Sequence, residues 1–109
     1  MTLRLYLMQR LTAALMVPLI IGHLATIIYA TRHGLTAADI LGRTRGSLGW
    51  GLFYATFVLL ASVHGAIGVR TVVAEWTPLR GRAPDVVMWL FGCLLFLLGA
   101  RAVYAVIAS

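Results

Sequence analysis

The chain has 109 residues, is 61% hydrophobic and 11% charged, and carries a formal net charge of +6 from nine arginines, no lysine and three acids. This composition excludes a soluble globule and leaves room for one compact unit with no separate soluble domain. The arginines sit at the ends of apolar runs, which suits lipid headgroups, cofactor carboxylates or quinone carbonyls and argues against nucleic acid as the partner.

Met1 to Gln9 reads as a short amphipathic entry with Arg4 and Tyr6. Arg10 opens the first span, and Leu11 to Ala30 is uncharged apart from His23, where that is ionised. About 20 such residues cross a bilayer as a helix. The run lacks a clear small-residue cleavage site after it, so no cleavable signal peptide is expected. Pro18, five residues before His23, predicts a kink and a freed carbonyl. Tyr29 closes the span as an interfacial aromatic.

Thr31 to Ser47 is the first connection, and its Thr36-Ala37-Ala38-Asp39 resembles a capping box, predicting a short surface helix over Thr36 to Leu41. His33 lies in this polar loop and is read as solvated. Leu48 to Val69 is the second span, entered at Trp50 and Tyr54. Ala61, Gly65 and Gly68 follow at helical spacing and allow a neighbouring helix to approach closely. Arg70 to Asp85, with Pro78, Gly81 and Pro84, turns at the surface. Val86 to about Ala108 is the third span, with Trp89 near its start and Arg101 about 15 residues in, near enough to the far side to snorkel. Cys93, the single cysteine, lies inside this run and reads as a small packing residue. The expected architecture is an all-α membrane protein, one anchor domain over residues 1–109 with spans at approximately 10–30, 48–70 and 86–108. Arginines divide five against four between the two sides, too even a split to orient the chain by charge.

His23 and His64 are the two histidines inside spans, where an ionisable group is costly and by default suggests function. Neutral imidazole is a common metal ligand. Gly68 is four residues after His64 on the same helix face, leaving room for something flat. With Arg10 and Arg70 taken as one membrane surface, His23 lies roughly 20 Å from it and His64 roughly 9 Å. An offset of about 10 Å at ~1.5 Å per residue argues against both ligating one iron. It favours two haem levels, each completed by a histidine from a second subunit. No Cys or carboxylate shares a span with either histidine, so zinc, iron–carboxylate and proton-pump readings lack their usual parts. The plain alternative is a pair of histidines hydrogen-bonded within a helix bundle.

The pattern His64-x3-Gly68-x-Arg70-x4-Glu75 resembles the second-helix signature of the cytochrome b membrane-anchor subunit of succinate dehydrogenase and fumarate reductase, His-x3-Gly-x-Arg-His-x3-Asp. Gln9-Arg10-Leu11-Thr12-Ala13 is similar to that family's His-Arg-x-Ser/Thr-Gly at the start of helix one. Gln9 stands where the family often has His, Ala13 where it has Gly, and Thr71 where a His follows the arginine. His23 is outside the one-haem pattern and resembles the first-helix ligand of the two-haem members.

The resemblance implies one part of a larger heteromeric helix bundle in the cytoplasmic membrane, with a cytoplasmic amino terminus. It implies haem b, with His64 as axial ligand of the haem nearer the cytoplasm and His23 of the distal one. Arg10 and Arg70 would contact quinone or haem propionates, for which the arginine fork is suited. The implied partners are a flavoprotein subunit, an iron–sulfur subunit and a second membrane anchor. The chemistry on succinate or fumarate would belong to those partners, and this chain would only pass electrons to membrane quinone. A haem-free quinone-binding anchor and a small structural or transport protein are the competing readings.

Overall fold

A computed structural model describes residues 3–108 and forms them into four α-helices, α1 (Leu3–Arg32), α2 (Ala37–Thr44), α3 (Leu48–Trp76) and α4 (Ala83–Ile107). α1, α3 and α4 are each long and apolar enough to cross a membrane. At ~1.5 Å per residue, each exceeds a hydrocarbon core of about 30 Å. The chain is an all-α, multi-pass membrane protein with three spanning helices.

The helices run beyond the apolar stretches that mark them in the sequence. α1 begins before Arg10 and continues through Pro18, and α3 continues past Arg70 to Trp76. Arginine is a good helix former, so the charge that ends a hydrophobic run does not end the helix. What ends each helix is local backbone chemistry. α1 stops at a Schellman motif in which Gly34 takes φ 61°, its N–H donating to Thr31 O and the Leu35 N–H to Ala30 O. The Ser47 side chain caps α3 by accepting the Trp50 N–H, and a proline sits at the start of α4.

The capping box forms as the sequence predicts. The Thr36 hydroxyl accepts the Asp39 N–H, and the Asp39 carboxylate accepts the Thr36 N–H at 2.9 Å. That backbone bond is the main reason the exposed Asp39 carboxyl titrates below its ordinary value, with the Thr36 hydroxyl and Arg43 acting in the same direction. α2 runs on to Thr44 because its end is tied to α4. The Thr44 hydroxyl donates to Val106 O at 2.7 Å, and the Gly46 N–H (φ 72°) donates to Ile107 O at 2.7 Å. Two carbonyls that α4 leaves open at its last turn are satisfied this way, and α2 is fixed to one end of the bundle.

α3 is the central helix, with α1 and α4 packed on it. Small residues set the α3–α4 approach. A Cβ built on Gly99 would fall 2.5 Å from Val58 Cγ1, one on Gly65 2.9 Å from Leu95 Cδ1, and one on Gly92 3.0 Å from Ala66 Cβ. Without a hydrophobic drive between helices in lipid, such close backbone packing is what holds them. Gly68 instead faces α1, where its Cβ would lie 3.5 Å from Gln9 Nε2. The interior is thin, with Ala66 and Ile67 its buried apolar residues and Thr12, Thr44 and Ser62 its buried polar ones among those described. Large apolar side chains such as Leu11, Ile21, Leu90 and Leu97 remain exposed, as suits a surface solvated by lipid or by other helices.

Candidate functional site

Three contacts fix the register of the antiparallel pair α1 and α3. The Thr12 hydroxyl lies 3.3 Å from His64 Nδ1, Gln9 faces Gly68, and Gly22 faces Phe53. Thr12 has one hydroxyl proton, and its shortest bond is to Met8 O at 2.8 Å, one turn back on its own helix. Its oxygen is then an acceptor toward His64, so Nδ1 carries the proton and donates. The hydrogen-bond network thus selects the tautomer in which Nε2 holds a free lone pair. This is the usual arrangement of a metal-bound histidine, whose second nitrogen donates to a fixed partner that sets the ring's orientation.

His64 lines an open groove of about 410 Å³ with Gln9, Gly65, Gly68, Val72 and Phe91. Two of its lining residues, Gly65 and Gly68, are glycines on successive turns, where α4 through Leu95 and α1 through Gln9 come close. Gln9 Oε1 is buried there without a hydrogen-bond partner. An orphaned acceptor of that kind costs about 1–3 kcal/mol, so the groove is a place where a donor from outside the chain would be stabilised.

His23 stands deeper in the bundle. Thr12 and His64 are level, and His23 is 11 residues farther along α1. At ~1.5 Å per residue the two imidazoles differ in depth by about 16 Å. The sequence estimate of about 10 Å assumed that Arg10 and Arg70 share one level. The register instead places Arg10 close to Ala66, one turn before Arg70. His23 packs edge-on against Tyr54 and Phe57, with ring centroids 5.9 and 5.7 Å away. Its Nδ1 is buried with no partner. Space opens on two sides of it, about 280 Å³ against Val58 and Gly99, and about 560 Å³ toward Tyr29, Arg43 and Trp50.

The two arginines singled out in the sequence do not join these histidines. Arg70 Nε donates to Asp85 Oδ1 at 2.6 Å, clamping the end of α3 to the start of α4. Arg10 is exposed, donates to the Tyr6 hydroxyl at 3.2 Å and lies 5.7 Å from the Tyr6 ring centroid, on its own helix. Arg10 is two residues from Thr12, which on a helix turns it away from α3. Sequence reasoning quoted Thr12 within the Gln9–Ala13 pattern but not as the partner of His64, and it gave no role to Arg43, on the rim of the cavity beside His23. Thr12 had a signal, a hydroxyl inside an apolar run on the helix face that also carries His23. Arg43 had none, since only the docking of α2 brings it to α1.

Among the described residues, no group of three or more His, Cys, Asp or Glu comes together. An iron held at His64 or His23 would therefore take its other ligands from a macrocycle and from another chain. For a haem, the His64 groove fits one side of the group, with a free Nε2, a mostly apolar lining and the unpartnered Gln9 Oε1. Comparison with family models, with curated proteins and with solved structures found no match.

Proposed function

We propose that this chain is a membrane anchor that binds haem b and quinone in a succinate:quinone oxidoreductase, passing electrons between an iron–sulfur subunit and membrane quinone. The observation that carries the reading is the Thr12–His64 pair beside Gly65 and Gly68. It leaves one imidazole nitrogen free beside an open, mostly apolar groove, in a chain whose His64-x3-Gly68-x-Arg70 pattern resembles that family's. When bound between two histidines, haem supplies one-electron transfer with no open coordination position.

The chain's own residues do the rest. Thr12 holds the His64 ring by its Nδ1–H and keeps Nε2 a lone-pair donor. Gly65 and Gly68 bring α4 and α1 close to α3 on either side of His64. His23, about 16 Å farther along the bundle, is the ligand for a second group at a separate level. Each histidine would supply one nitrogen to an iron, so a second anchor subunit would supply the remaining protein ligand at each level. The exposed apolar faces of α1 and α4 are available for that subunit. Arg70, held by Asp85, serves to join α3 to α4 near the membrane surface. On this reading the amino terminus and the α3–α4 connection face the cytoplasm, toward the iron–sulfur subunit.

The test is haem content per flavin in the complex purified from membranes. His64→Ala removes one haem and leaves the other. Loss of neither refutes His64 as a ligand, and a complex with no haem leaves only a quinone-binding anchor.

A further inference from the structure

The 560 Å³ cavity at the α2 end of the bundle is not explained by packing. It is mixed in character, with His23, Thr26, Tyr29, Arg43, Trp50 and Tyr54 around it. His23 brings a buried Nδ1 with no partner. Arg43 brings the one fixed charge among the described residues that line it. The charge is held in place rather than carried on a loose loop. Thr44 and Gly46, next to it in the chain, donate to the last carbonyls of α4, and the Arg43 guanidinium lies 5.6 Å from the centroid of the Tyr29 ring on α1.

Arg43 forms no ion pair within 4 Å among the described residues. Asp39, one helical turn earlier, acts on it only through space, its carboxylate being hydrogen-bonded to the Thr36 N–H in the capping box. Among the described residues, the one ion pair formed is Arg70–Asp85, at the other end of the bundle. An exposed guanidinium that rims a cavity a histidine also lines, and that forms no ion pair among the described residues, has the charge and donors for a carboxylate. A carboxylate buried there without a cation would be strongly disfavoured.

We infer that Arg43 is the counter-ion for the acidic edge of the group that His23 ligates, a haem propionate, and so sets that group's reduction potential. The inference rests on the proposed haem-binding function and adds a residue, Arg43, that the sequence pattern does not mark. Arg43 is a positioning residue. It acts on the iron through the propionate and through its charge. That charge disfavours the ferric, more positive state, so it raises the potential.

The experiment is a redox titration of the intact complex, monitored by haem absorbance, for wild type, His23→Ala, Arg43→Gln and Arg43→Lys. His23→Ala identifies the haem held at that level by its loss. Arg43→Gln is expected to keep both haems and to lower the midpoint potential of that haem alone, and Arg43→Lys to stay near wild type. Two haems with both potentials unchanged in Arg43→Gln would overturn the role of Arg43 and leave the function standing. Full haem retention in His23→Ala would overturn the His23 assignment itself, and the inference with it.

Discussion

Thr12 carries much of the argument, and its removal is the sharpest perturbation of the His64 site. Thr12→Val keeps the branched shape and deletes the hydroxyl. The bond to Met8 O is a back-bond to a carbonyl already within the helix ladder, so its loss leaves no orphan on α1. The bond to His64 is different. Thr12 is 7% exposed, so water does not readily replace it, and His64 Nδ1–H is left without an acceptor. Such an unsatisfied donor costs about 1–3 kcal/mol. Loss of a partner that orients a metal-bound histidine lowers metal affinity by about 10–100-fold, or ~1.4–2.8 kcal/mol, the same range reached independently. The assay is haem retention in the detergent-purified complex, followed by absorbance on dilution against apomyoglobin as acceptor. Thr12→Val is expected to release the His64 haem about 10–100-fold more readily while the His23 haem stays. Thr12→Ser, which keeps the hydroxyl, is the control. Equal retention of both haems in wild type and Thr12→Val would refute the assignment of Nδ1 as the donor and of Thr12 as its support.

Other consequences follow from the packing. Gly99→Ala puts a methyl 2.5 Å from Val58 Cγ1 and should destabilise the α3–α4 pair by about 1–3 kcal/mol, read as a lower unfolding midpoint in detergent. An unchanged midpoint would mean the helices have slack there. The Arg70–Asp85 pair is partly exposed, with side chains 21% and 48% accessible, so a double-mutant cycle should give a coupling of only about 0.2–1 kcal/mol. Arg10→Ala should leave both haems bound, because its side chain points along its own helix to Tyr6. Haem loss in that variant would show that a contact outside this chain depends on it. The Asp39 carboxyl titrates below its ordinary value, so its capping contribution is present above the unfolded-state pKa and is lost as pH falls through the lower folded value. The Thr36 amide resonance should report that loss with a midpoint below that of an unstructured aspartate, and a midpoint at the ordinary value would contradict the bond.

Much of the fold could be read from the chain because lipid imposes a simple code. Three apolar runs of spanning length, the third interrupted only by Arg101, became three helices, and Thr36 with Asp39 formed the capping box. The helix limits were less legible, since Arg10 and Arg70 mark the ends of apolar runs and not of hydrogen bonding. Gly34, Ser47 and Pro84 set the ends instead. In the candidate site, the depth difference between His23 and His64 followed from position alone, and its size needed the register that Thr12 and Gln9 reveal. The arginines were the least legible. Their partners are chosen by packing between elements, as with Arg70 and Asp85 across a turn, or Arg43 and Tyr29 across two helices. Sequence spacing holds no record of those pairings.

The central claim is that His64 and His23 each ligate a separate haem. The most direct measurement is the dithionite-reduced minus oxidised spectrum of the detergent-purified complex, with haem counted per flavin, for wild type and the two alanine variants. The account predicts two b-type haems per flavin in wild type and one in each of His64→Ala and His23→Ala, with different spectra for the haem that remains. No haem in wild type, or loss of both haems in both variants, would contradict it.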